Sequence, residues 1–162
     1  EVSKKLTPNG YKIFKYKTLE KHKMLEVVYS FKKEEKPLED IIEDFQEKFE
    51  KAFEDKQYII AGFKNFIEIY EKESFAYDAY WVYSLCHFKF SNDIFNDLPE
   101  ASIFAPCSVY MYIDKDDNKI KIGMIKASNW IKVLNIQDPM MIAKIKAIDK
   151  EIKEIFYSLG AN

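Results

Sequence analysis

Cys107-Ser108-Val109-Tyr110-Met111-Tyr112-Ile113, then Asp114-Lys115-Asp116-Asp117-Asn118, then Lys119-Ile120-Lys121-Ile122-Gly123-Met124, is the stretch whose reading decides the fold. Two alternating runs flank a polar turn, the pattern of a β-hairpin. Cys107, Val109, Met111 and Ile113 share one face of the first strand, and Ile120, Ile122 and Met124 answer them on the second. Asp114, Asp116 and Asn118 imitate the start of a calcium loop. Lys119 stands where that loop needs glycine, and Ile125 where it needs a bidentate Glu, so the segment reads as a solvated turn.

Upstream, residues 77–90 read as a second long strand. Trp81, Tyr83, Leu85 and His87 share one parity, and Tyr80, Val82, Ser84, Cys86 and Phe88 the other. Residues 91–106 hold Asn92, Asp93, Asn96, Asp97, Pro99 and Pro106, the composition of a long connection with at most one helical turn. Connections of that length inside a domain are often functional. Residues 58–70 are β-branched and aromatic and predict one strand, or two with a kink near 62–65. Leu25, Val27, Tyr29 and Phe31 alternate cleanly with polar or smaller neighbours and predict a strand with one face on a core. Residues 11–17 alternate weakly and read as an edge strand whose lysines discourage pairing with other chains. Pro8, Asn9 and Gly10 mark the first ten residues as a flexible lead-in and turn.

Pro37 opens an amphipathic helix in which Leu38, Ile41, Ile42, Phe45, Phe49 and Phe53 recur at intervals of three and four. Residues 128–134 predict a short helix capped by Ser128. A long one follows from Pro139, started by Asp138 and stopped by Gly160. The sum is an α+β domain with an antiparallel sheet and a long C-terminal helix.

The net charge of −2, from 25 Lys plus Arg against 27 Asp plus Glu, creates no global field for nucleic acid or an anionic membrane. Bases interleave with aromatics at residues 11–17, but acids follow soon after, and alternating Lys and apolar residues are more often a half-buried strand; no nucleic-acid partner is expected. No apolar run is long enough to span a membrane. Four isolated glycines exclude a P-loop and a GxGxxG fingerprint. The chain starts at Glu1 and not at methionine, which is consistent either with a removed secretion signal, hence a periplasmic or otherwise extracytoplasmic home, or with simple trimming.

The residues Ala105-Pro106-Cys107-Ser108-Val109-Tyr110-Met111-Tyr112, followed by the turn and Lys119-Ile120-Lys121-Ile122-Gly123-Met124, resemble the bacterial and archaeal family catalogued as domain of unknown function 302, DUF302. Its members carry a Pro-Cys or Leu-Pro element leading into a strand of the form Val-x-Val-Tyr. The resemblance covers about residues 25–159. It implies a β-α-β(4)-α order in which the sheet grips the last helix, a TBP-like or helix-grip arrangement, with an extra N-terminal strand. Residues 1–24 are then an extension, partly strand, before a single domain of residues 25–162. The family has no settled activity, so the match transfers shape and no catalytic residues.

Cys86 and Cys107 stand near the end of one expected strand and the start of the next, so antiparallel pairing would bring them close. They are either a disulfide, which would stabilise by roughly 3 kcal/mol, or two buried free thiols, or a redox or metal pair. Cys86 and His87 point to opposite faces of a strand and do not easily share a metal. Haem ligation by His87 with Met111 or Met124 is explained more simply by core packing of the methionines. No metal or cofactor is expected. No GxSxG elbow, HExxH or Cys-His-Asn arrangement singles out a catalytic residue. The reading that remains is a binding or interaction module. Its cleft lies between sheet and helix, lined by Trp81, Tyr83, His87, Tyr110, Met111 and Tyr112, and takes a small apolar ligand; the excess aromatic surface would equally suit a homodimer. The alternative is a thiol-dependent redox protein or enzyme using Cys107.

Overall fold

A computed structural model describes residues 5–6, 12–21, 24–31, 36–68, 75–115 and 117–161. In chain order the elements are β1 (Lys5–Leu6), β2 (Lys12–Lys21), β3 (Met24–Phe31), α1 (Leu38–Glu54), β4 (Tyr58–Asn65) and β5 (Tyr77–His87). Then follow α2 (Phe88–Asp97), a 3₁₀ helix (Pro99–Phe104), β6 (Cys107–Asp114), β7 (Lys119–Ile125), α3 (Asn129–Val133) and α4 (Pro139–Ala161).

The strands form one antiparallel sheet in the order β1-β2-β3-β7-β6-β5-β4. The expected hairpin is its centre, and β3 closes on β7 from the other side through Val27 opposite Ile122. Pleating sorts the side chains into two sets. One row carries Trp81, Met111, Ile122 and Val27 across four strands, all buried. The adjacent row carries Val82, Tyr110, Gly123 and Glu26, on the face that stays half-exposed except at Gly123.

α1 and α4 cover the first face. The stripe Ile41, Phe45, Phe49 and Phe53 is fully withdrawn from solvent, as are Ile145 and Phe156 of α4. The Phe53 and Phe156 rings meet edge-on at 6.1 Å, which locks the two helices together over the sheet. Tyr29 of β3 donates its hydroxyl to the Phe156 carbonyl, satisfying a phenol that would otherwise be buried without a partner.

Four expectations are corrected. Residues 11–17 were placed at the edge of the sheet, but β2 is paired on both sides and the edges are β1 and β4. The second long strand stops at His87, not at Phe90, and residues 88–97, read as the last three residues of that strand and the start of a connection, are the helix α2. The reason is local: His87 Nδ1 accepts the Phe90 N–H at 3.0 Å, acting as the N-cap, and Ile94 then buries itself beneath the helix. Ser128 does not cap α3 with its side chain. Asp149 of α4 does comparable work from across the fold, accepting the Ala127 and Ser128 N–H groups at 2.6 and 3.0 Å. Asp138 starts α4 as expected, accepting from Met140 and Met141 at 3.2 and 3.3 Å. Gly160 lies inside α4 and does not stop it.

Candidate functional site

The six residues expected to line a cleft fall on different surfaces. Trp81, Tyr83 and Met111 lie in the core beneath the helices, buried in one cluster with Phe45, Phe49, Phe53 and Phe156. Tyr83 packs tilted against Phe49 with ring centroids 4.7 Å apart, donates to Glu50 at 2.7 Å and accepts from Gln46 at 3.1 Å. Burial, then the Glu50 carboxylate, raises this phenol above its ordinary pKa.

Tyr110 and Tyr112 project from the opposite face. The Tyr110 ring lies across Gly123, where a β-carbon would collide with it, and its hydroxyl donates to Glu26 two strands away. Tyr112 stacks on Tyr80 at 5.8 Å with 15° between planes, and Lys121 Nζ stands 5.2 Å from its centroid.

His87 sits at the end of β5. Its ring meets Tyr58 edge-on at 4.7 Å, and its Nε2 is 3.8 Å from Glu151 Oε1. Tyr58 Oη and Glu151 Oε1 are buried without a hydrogen-bond partner. Burial, helped by the Glu151 charge, raises the Tyr58 phenol well above its ordinary pKa.

β5 and β6 are neighbours, as the two cysteines required, but both thiols are free. Leu85 is the register partner of Cys107, so Cys86 stands one residue on, facing the other side of the sheet. Cys86 Sγ lies 3.0 Å from Ser91 Oγ, and Cys107 Sγ points to the Phe104 carbonyl at 3.8 Å. Burial, with smaller contributions from Cys86 and Asp149, pushes the Cys107 thiol up to about 11. A thiol that is protonated at neutral pH is a poor nucleophile.

Cys107 is also where an open space begins. At the end of the sheet, between the 3₁₀ helix, the first residues of β6, the last of β7 and α3, lies an apolar groove of about 640 Å³. Its walls include Ile103, Phe104, Cys107, Ile125, Trp130 and Val133. Phe104 and Trp130 stack nearly flat, 5.3 Å apart with 9° between planes, and form the rigid part of the wall. Ile103, Ile125 and Val133 are 70, 60 and 65% exposed. Three large aliphatic side chains left in water around one concavity are the arrangement a ligand or partner would cover. Ser108 and Asn129 supply polar groups at its margin. Of the expected site residues only Cys107 is on this wall. Ile103, Phe104, Trp130 and Val133 were missed because they come from short elements with too few turns to show a period.

Among the described residues no group of three or more His, Cys, Asp or Glu is placed to hold a metal ion, and no helix is long and apolar enough to cross a membrane.

The chain matches the family described as Domain of unknown function DUF302 over residues 34–159, and it belongs to that family. No curated protein matches it. Among solved structures it is similar to an uncharacterized conserved DUF302 protein from Bacillus stearothermophilus, with a TM-score of 0.65 and 15% identity over 83% of this chain and 96% of that one. At that identity the likeness shows the fold, an α+β architecture with an antiparallel sheet and a C-terminal helix.

Proposed function

We propose that this chain is a non-catalytic binding module that takes a small apolar molecule in the groove beside Cys107. The observation that carries the reading is the convergence of Ile103, Ile125 and Val133, all exposed, around the stacked Phe104–Trp130 pair. The volume of about 640 Å³ falls in the range of small-molecule sites. Each methylene withdrawn from water there contributes about 0.8 kcal/mol, so a chain of several carbons suffices for binding. The thiol-dependent alternative draws less support, because Cys107 is held protonated and Cys86 faces the other way.

Titration with 1-decanol, followed by the fluorescence of Trp130, tests the reading. A saturable change is expected, and Val133→Asp or Ile125→Asp should weaken it by about tenfold or more, since a buried carboxylate must be desolvated. An unsaturable response, or equal binding by the variants, would overturn the proposal. So would a dimer that Val133→Asp dissociates and that takes up no decanol, because the groove would then belong to a second copy.

A further inference from the structure

His87 ends β5 and caps α2 with one ring nitrogen. Nδ1 accepts the Phe90 N–H at 3.0 Å and so carries no proton, which leaves the proton of the neutral ring on Nε2. Nε2 faces Glu151 Oε1 of α4 at 3.8 Å, beyond hydrogen-bond reach. That oxygen is buried and has no hydrogen-bond partner. A buried acceptor without a donor costs free energy, and the group facing it is of the side-chain type that gains a charge between roughly pH 8 and pH 5.

The end of α2 depends on this cap. Its first turn holds no acidic residue, and Lys89 puts a positive charge where the helix dipole is itself positive. The Phe88 N–H donates to the Gln57 carbonyl at 3.3 Å, and the Phe90 N–H donates to His87. From β4 the ring meets Tyr58, whose phenol stays protonated well above neutral pH. Asp93 of α2 pairs with Lys144 of α4 at 4.0 Å, and Asp149 of α4 is taken by the Ala127 and Ser128 N–H groups. The Cys86 thiol lies against Ser91, and that of Cys107 points to the Phe104 carbonyl. Among the described residues, Glu151 is the carboxylate within ion-pair distance of His87.

A second proton on His87 goes to Nδ1. There it sets N–H against the Phe90 N–H and adds a positive charge at the N-terminus of α2, while it strengthens the attraction to Glu151. The helix cap is exchanged for an ion pair. The effect reaches the groove because Phe90 lies 5.9 Å from Trp130, which stacks on Phe104. Leu98, which ends α2 with its N–H on the Ile94 carbonyl, also accepts the Ala101 N–H, so the 3₁₀ helix bearing Ile103 and Phe104 grows directly from α2.

We infer that His87 is a proton-operated latch: protonation moves it from the Phe90 N–H to Glu151, loosens the first turn of α2 and the Phe104–Trp130 wall, and so releases the ligand of the groove on acidification. This rests on the groove reading above and adds its regulation.

The test follows the His87 ring C–H signals and the hydrogen exchange of the Phe90 amide, relative to its intrinsic rate, by NMR from roughly pH 8 to pH 5. The groove probe is 1-decanol, which has no titratable group. As the ring titrates, Phe90 exchange should speed up about fivefold, and decanol affinity should fall about threefold or more. His87→Asn keeps an acceptor for the cap and takes up no proton, so both quantities should stay level. Glu151→Gln removes the charge that draws the imidazolium and should move the transition to lower pH. Constant Phe90 protection while the ring titrates, a pH response that survives in His87→Asn, or a transition that Glu151→Gln leaves in place would overturn the latch. Equal decanol affinity at both ends of the range, with Phe90 loosened, would overturn its hold on the groove. No decanol bound at any pH, with Phe90 exchange rising as expected, would overturn the groove reading and leave the exchange of partners at His87 standing.

Discussion

On the helix-facing side of the sheet Phe45, Phe49, Phe53 and Phe156 are fully withdrawn from solvent, whereas at its end Ile103, Ile125 and Val133 remain 60 to 70% exposed. Both regions are apolar, but only the first is closed. There the long aromatic side chains of α1 and the strands interdigitate, and Tyr29 and Tyr83 find partners for their hydroxyls on α4 and α1. At the end of the sheet the short 3₁₀ helix and α3 leave Ile103, Ile125 and Val133 uncovered. A high aromatic content is therefore no sign of a cavity: the rings pack around Trp81, Tyr83 and Met111, and the groove opens where they run out.

The largest effect should come from opening the closed region. Phe49→Ala removes a ring held by Phe53 at 4.8 Å and Tyr83 at 4.7 Å, and the site has little room to collapse. Loss of about 3–5 kcal/mol in urea unfolding is expected. A loss below 1 kcal/mol would mean that the helix-facing side is as loosely filled as the groove.

Next comes the alkaline limb of the stability curve, which probes the boundary between the regions. Cys107 has a folded pKa of about 11 against an ordinary 9.0. Below pH 9 the thiol is protonated in both states and stability does not depend on it. Between 9 and 11 the unfolded chain ionises first, the folded chain holds more protons, and stability falls as pH rises, by about 2 kcal/mol in all. The raised phenols of Tyr58, Tyr83 and Tyr110 push in the same direction above 10, so the thiol is isolated by comparison with Cys107→Ala. Parallel curves for the two proteins between pH 9 and 11 would show that Cys107 is as open as the groove it lines.

A smaller effect separates the half-exposed face from both regions. Gly123→Ala drives a methyl group into the Tyr110 ring, which must swing away and give up Glu26. A loss of about 1 kcal/mol is expected, vanishing in a Tyr110→Ala background where the collision is absent. Equal losses in the two backgrounds would place the strain in the backbone of β7.

How far this contrast was legible from the residues follows from where a period can be seen. α1, α4 and the β6–β7 hairpin span enough residues for the alternation of buried and exposed positions to appear in full. Parity also separates Tyr110 and Tyr112 from Met111, so a cleft holding all three required two faces of one sheet to meet. α2 was hidden because Phe88 and Phe90 continue the strand-like run before them, and the cap that ends the strand is a histidine ring nitrogen, outside the usual Ser, Thr, Asp and Asn. The groove was hidden for a different reason. Ile103, Ile125 and Val133 come from three elements, and only the folded sheet brings them together.

The smallest stability effect carries the most functional weight. Val133→Asp replaces an aliphatic side chain that is already 65% exposed, so the folded state has little burial to lose and the new carboxylate stays hydrated. A change within about 0.5 kcal/mol is expected in urea unfolding, against the several lost by Phe49→Ala. If the groove is a binding surface, the same substitution should remove decanol uptake that Phe49→Ala, assayed where it remains folded, preserves. A crossed result, with uptake following global stability and indifferent to position 133, would erase the distinction between the filled side of the sheet and its open end.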